Sequence, residues 1–208
     1  MTKVQTLLVV WQNEIQRLYY HVGTLSYYNG CYEFSYTNQG KRKLKEALQN
    51  GYMLHPAFPK KDKIYKSKKL FPAFDHRLPS PDRLDFKAIL IDLGLDENAS
   101  KMEMLRQTRG RLANDSYSFE QPLRMKNDGK LHSSFFIHGM RHQKLPGNWA
   151  SYINVKEKLI MKQEPSNIHD PNAIAVYSNN GIKLGYVPTF YNKAIYSLIE
   201  DGARNMLQ

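Results

Sequence analysis

The chain has 208 residues, 41% hydrophobic and 12% aromatic, which excludes a disordered polypeptide. Lys and Arg number 30 against 19 Asp and Glu, a formal net charge of +11 that favours polyanionic partners, because each neutralised phosphate releases counterions. One cysteine, Cys31, excludes an intrachain disulfide; no Cys/His cluster has zinc-ligand spacing; and the apolar run 7–11 falls far short of the roughly 20 residues a membrane helix needs.

Residues 4–11 are apolar and β-branched and predict a strand, followed by a polar turn at Gln12, Asn13 and Glu14. Residues 18–25 read as a second strand. Asn29-Gly30 is a hairpin signal leading into the alternating stretch 31–36, so residues 4–36 predict a three-stranded antiparallel meander. A short helix is expected over 41–49, ended by Gly51. The stretch 56–81 holds five prolines and reads as mostly irregular. Within it, Lys60, Lys61, Lys63, Lys66, Lys68 and Lys69 surround Tyr65; this run could contact a phosphate backbone or form a solvated, flexible loop.

Pro81 suits the first position of a helix with Ser80 as its N-cap, and Leu84, Ala88, Leu90, Ile91 and Leu95 give it one core-facing stripe. A second helix is expected from about Ser100 to about Arg111. Turn formers and few apolar residues over 121–134 mark a domain linker between an N-terminal domain (1–120) and a C-terminal one (135–208). In the latter, residues 135–139, 152–155, 158–162, 173–177 and 183–187 read as strands and 191–200 as a helix. Five short strands and one helix predict a small OB-like β-barrel. The fold class is therefore α+β: an antiparallel β-meander with short helices, then a small barrel with a terminal helix.

Three blocks of the C-terminal segment occur in a distinctive order. They are Gly139-Met140-Arg141-His142, then Glu164-Pro165-Ser166-Asn167-Ile168-His169-Asp170-Pro171-Asn172-Ala173-Ile174-Ala175-Val176, then Gly185-Tyr186-Val187-Pro188. Together they resemble the HIRAN domain, a small β-barrel module that binds DNA ends. The resemblance implies a DNA groove that includes Arg141, with Asp170 near the 3′-terminal hydroxyl of a single strand. It also implies departures. His142 and His169 stand where eukaryotic members carry base-stacking tyrosines. Tyr186 stands where a phosphate-binding histidine is found. Thr189 lies close to where a lysine contacts phosphate, and whether Lys193 replaces that lysine stays open. The candidate nucleic-acid-binding residues are Arg141, His142, His169, Asp170, Tyr186 and Lys193. Asp170 and Asn172 could instead only staple their loop.

The N-terminal segment carries residues 7–11, then Val22-Gly23-Thr24-Leu25, then Tyr32-Glu33-Phe34-Ser35-Tyr36, and a proline-bounded stretch over 70–83. These resemble the N-terminal subdomain of HipA-type kinases. The kinase core is missing: no Gly-rich phosphate loop, strand lysine partner or catalytic Asp/Asn loop is present. The resemblance therefore implies a HipS-like antitoxin that restrains a separate HipA-like kinase toxin. The alternative is a stand-alone binder of single-stranded DNA or DNA ends in repair or phage defence. His residues at 21, 55, 76, 132, 138, 142 and 169 raise the thought of a nuclease, but no paired carboxylates support it. No catalytic residue, cofactor, metal or membrane contact is expected. The single Cys and the lack of a signal peptide point to a reducing, cytoplasmic setting, and the chain is expected to be of bacterial type.

Overall fold

The computed structural model describes residues 5–38, 40–125, 131–154 and 156–206. The chain divides into two compact units, Met1–Ser133 and Ser134–Gln208.

In the first unit the expected meander forms as β1 (Gln5–Gln12), β2 (Tyr19–Tyr28) and β3 (Cys31–Tyr36). Val4 lies outside the described residues. The alternation read from the sequence is real: Tyr32, Phe34 and Tyr36 of β3 are buried and the residues between them are not. Gly23 of β2 has no room for a side chain, since a Cβ would lie 2.5 Å from the Phe34 ring. After α1 (Leu44–Gln49), the proline-rich stretch contributes β4 (Tyr65–Ser67) and α2 (Pro72–Asp75). Next come α3 (Phe86–Asp92), α4 (Lys101–Thr108), β5 (Tyr117–Glu120) and a small pairing of β6 (Arg124–Met125) with β7 (Leu131–His132). The main sheet is antiparallel with strand order β4-β3-β2-β1-β5. Val9, Val22, Leu25, Phe34, Phe58, Phe74, Leu105 and Phe119 pack its core.

Two expectations for this unit need correction. The helix expected from Pro81 starts only at Phe86. The Ser80 hydroxyl accepts from the Asp82 amide at 3.3 Å in a local turn, and Arg83 forks onto Asp85, so residues 80–85 satisfy themselves without a helix. Of the expected stripe only Leu90 is buried; Leu84 precedes the helix and is fully exposed, and Ile91 is 66% exposed. The helix expected from Ser100 does form, closed by a capping box in which Ser100 and Glu103 satisfy each other's backbone amides. Of the expected linker 121–134, residues 126–130 lie outside the described residues.

The second unit holds 3₁₀ turns at Met140–His142 and Trp149–Tyr152, strands β8 (Ile160–Gln163), β9 (Ile174–Tyr177) and β10 (Lys183–Tyr186), and helix α5 (Thr189–Met206). The strands form an antiparallel sheet of order β10-β9-β8, with Ile174, Ala175 and Val176 of the middle strand fully buried. Tyr191 and Ile195 of α5 are buried with them. The expected five-stranded barrel is not closed among the described residues. The stretch 135–139 joins the sheet only through a bridge of His138 to Tyr186, and Tyr152 ends a 3₁₀ turn instead of opening a strand. Val155, the end of that expected strand, lies outside the described residues. α5 is longer than the expected 191–200. No helix among the described residues is long and apolar enough to cross a membrane.

Candidate nucleic-acid interface

The site grows from one backbone junction. His138 and Tyr186 exchange two amide–carbonyl hydrogen bonds of 2.9 Å each, which ties the chain ahead of the first 3₁₀ turn to the end of β10. Immediately after this junction the Met140–His142 turn holds Arg141 and His142 in solvent. Arg141 Nε donates to His142 Nε2 at 3.0 Å, so the guanidinium has a defined direction while its terminal nitrogens stay available for a phosphate or a base.

The second component is the loop 167–172, built by its own side chains. Asn167 Oδ1 accepts from the amides of His169 at 3.0 Å and Asp170 at 3.2 Å, and Asp170 Oδ1 accepts from the Asn172 amide at 2.9 Å. These are successive Asx-type turns, the fold that Asn and Asp favour in tight loops. They leave the His169 ring exposed beside Ile168, which is 91% exposed. Asp170 Oδ2 accepts from Nδ2 of Asn192, a residue of α5 only 2% exposed. Both Asp170 oxygens therefore serve the loop and its attachment to the helix.

Tyr186 connects the two components from within. Its hydroxyl donates to Glu164 Oε2 at 3.0 Å and accepts from Lys183 Nζ at 2.8 Å and from Asn167 Nδ2 at 3.3 Å. Lys183 Nζ also bonds Glu164 Oε1 at 2.5 Å and lies 4.4 Å from the centre of the Tyr186 ring. Tyr186 is thus engaged by the fold through hydroxyl and ring alike. Partial burial works against the charge of Glu164, but hydrogen bonds from Lys183 and Tyr186 hold its carboxyl below the usual range. Burial likewise opposes the Lys183 charge, yet Glu164 and Tyr186 hold its ammonium above the usual lysine value. The carboxylate's contribution to stability is present above its ordinary value and is lost as pH falls through the depressed one. That of the ammonium is present below its ordinary value and is lost as pH rises through the raised one. The cluster is therefore intact across neutral pH.

The structure brings Arg141 and His142 together and links Asn167, hence the His169–Asp170 loop, to Tyr186. Lys193 is exposed on α5, one residue past Asn192, and does not join this network. Glu164, which heads the middle sequence block, and Lys183 were not read from the sequence as site-building residues: they come together only through the pairing of β8, β9 and β10. Among the described residues no group of three or more His, Cys, Asp or Glu side chains is gathered to hold a metal ion.

The second unit is thus a small α+β module that displays an arginine–histidine turn and a side-chain-built loop on a braced antiparallel sheet. Residues 130–206 match the family model of the HIRAN domain. No curated protein and no solved structure matches the chain significantly.

Proposed function

We propose that the chain is a non-enzymatic DNA-binding protein whose C-terminal HIRAN domain grips single strands or DNA ends. The observation that carries this reading is the exposed Arg141 guanidinium, directed by His142 on a turn fixed to β10. Such a group can bond phosphates and stack on a base. His142 and His169 add exposed rings that can stack on unpaired bases. Asp170 serves as a positioning residue for the His169 loop.

Arg141→Ala is expected to lower affinity for a single-stranded oligonucleotide with a free 3′ hydroxyl by about 1–3 kcal/mol, or roughly 5- to 150-fold. Fluorescence anisotropy at fixed salt measures it. Wild-type affinity in that variant would remove Arg141 from the interface. Equal affinity for strands blocked at the 3′ end by phosphate would remove end specificity and leave single-strand binding.

A second reading concerns the first unit: docking of a HipA-like kinase toxin in a bacterial cytoplasm, with this chain as antitoxin. What favours it is that two of the sequence blocks behind the resemblance face each other, Leu25 opposite Phe34, with Gly23 fitted beneath the Phe34 ring. On this reading a kinase co-purifies with the chain from native cells in stoichiometric amount. Its absence from such preparations, at levels where the chain itself is recovered, would sink the antitoxin role.

A further inference from the structure

The basic run that the sequence left between two readings is an ordered strap. Phe58 and Leu70, 1% and 3% exposed, anchor its ends in the core of the first unit. Between them Tyr65 packs its ring 5.1 Å from that of Phe58. The Tyr65 hydroxyl accepts from the Lys60 amide at 2.7 Å and donates to the Lys60 carbonyl at 3.1 Å, which closes the turn that presents Lys60, Lys61 and Lys63. On the other side of β4, the Ser67 hydroxyl accepts from the Lys69 amide at 3.1 Å and fixes the Lys68–Lys69 bend.

The charges of this strap are largely uncompensated. Residues 60–69 carry six lysines and one acid, Asp62, against a net charge of +11 for the whole chain. Asp62 accepts a hydrogen bond from Asn38, and Lys66 pairs with Glu33 on the neighbouring strand. Lys60, Lys61, Lys68 and Lys69 are exposed and make no side-chain ion pair among the described residues. Lysines do protect sheet edges from unwanted pairing, and β4 is an edge. That duty falls to Lys66, which sits on the strand; the other five flank it. Concentrating like charges costs stability, and among the described residues no ion pair offsets it at Lys60, Lys61, Lys68 or Lys69. The turn also lines a shallow concavity of about 590 Å³ with Leu54, Pro59, Lys60, Lys61, Asp62 and Lys63.

We infer that this strap is a second nucleic-acid contact, one that holds the phosphate backbone without reading sequence. It rests on the DNA-binding reading above and adds a separate contact on the same chain. Two weak contacts on one chain reinforce each other when a single strand reaches both.

The test uses the full chain and a labelled single-stranded oligothymidine, with affinity followed across a potassium chloride series. Each phosphate contact on a single strand contributes about 0.7 to the slope of log affinity against log salt. The variant K60Q/K61Q/K68Q/K69Q is expected to flatten that slope by about 2–3 and weaken low-salt binding by about tenfold or more. An unchanged slope with intact wild-type binding overturns the proposal. So does an equal flattening when Arg17, Lys41, Lys45 and Arg111, exposed cations outside the strap, are neutralised instead. If the strap variant weakens while Arg141→Ala does not, the strap stands and the C-terminal reading falls; the reverse result does the opposite. A wild-type chain that binds no oligothymidine overturns both.

Discussion

Acidification from pH 6.5 towards 3 is expected to remove up to about 5 kcal/mol of stability from the first unit through His21 alone. His21 sits on β2, only 7% exposed. Lys43 Nζ lies 2.5 Å from its Nδ1. An ammonium only donates, so Nδ1 accepts, and the neutral ring carries its proton on Nε2, facing the hydroxyls of Thr24 at 3.3 Å and Thr37 at 3.4 Å. Burial, and after it the charge of Lys43, pushes the imidazole down from 6.5 to about 3, against an opposing backbone bond at Gly23. Between these two values the unfolded chain binds a proton that the folded chain refuses. Stability therefore falls as pH falls through that window, and the loss is complete near its lower end.

Urea unfolding followed by Trp11 fluorescence, in a background where Trp149 is replaced by Phe, reports this unit. Carboxylates titrate in part of the same range, so the decisive quantity is the difference between wild type and His21→Gln. The glutamine has no charge to gain, and its curve is expected to be flatter by the His21 contribution. Parallel curves would show that His21 is not held neutral in the folded protein.

The same residue shows what the sequence could and could not convey. His21 reads there as one of seven scattered histidines, a hint of nuclease chemistry; in the fold it is a buried acceptor for a lysine 22 positions away. The meander was legible because its signals are local. β3 alternates over six residues, and Asn29 and Gly30 both adopt the positive φ, 50° and 74°, that a tight hairpin turn demands. β5 went unread because its partner is β1, where Val9 opposes Phe119 across most of the unit's length. Leu84 misled because helical spacing was counted from Pro81, while local hydrogen bonds delayed the helix.

The candidate site divides along the same line. Arg141, His142 and His169 are exposed as their sequence blocks suggest, and the Asx turns follow from residue type. The Glu164–Lys183–Tyr186 cluster, which braces Asn167, depends on strand register: Glu164 and Tyr186 stand in separate sequence blocks, and neither block shows that they meet. Asp170 makes the stapling contacts that the sequence left open beside a ligand role, and its partner Asn192 on α5 could not be foreseen from the loop alone.

Gly185→Ala is expected to damage DNA binding more than Arg141→Ala does, although residue 185 need never touch DNA. Gly185 has a φ of +153°, where a side chain is strained, and its position leaves no space for one. An added Cβ would press on the His138 carbonyl oxygen, lie 2.7 Å from Ile137 Cγ2 and stand 3.3 Å from the Met140 amide. Two of these three neighbours are backbone of the segment that carries Arg141, and one belongs to the His138–Tyr186 bridge itself. Relief requires that segment to lift off β10, which breaks the bridge and frees the turn. Steric overlap and backbone strain each cost about 1–3 kcal/mol, so a total loss of stability of about 2–6 kcal/mol is expected. Arg141→Ala removes one side chain from an intact site; Gly185→Ala removes the support of the site. Gly181→Ala separates the two costs, because Gly181 has a positive φ of 78° but nothing within 4 Å of an added Cβ. It should lower the melting temperature slightly and leave affinity for single strands unchanged. Should Gly185→Ala behave like Gly181→Ala in both measurements, the close crossing of residues 137–140 over β10 is not what holds Arg141 in place.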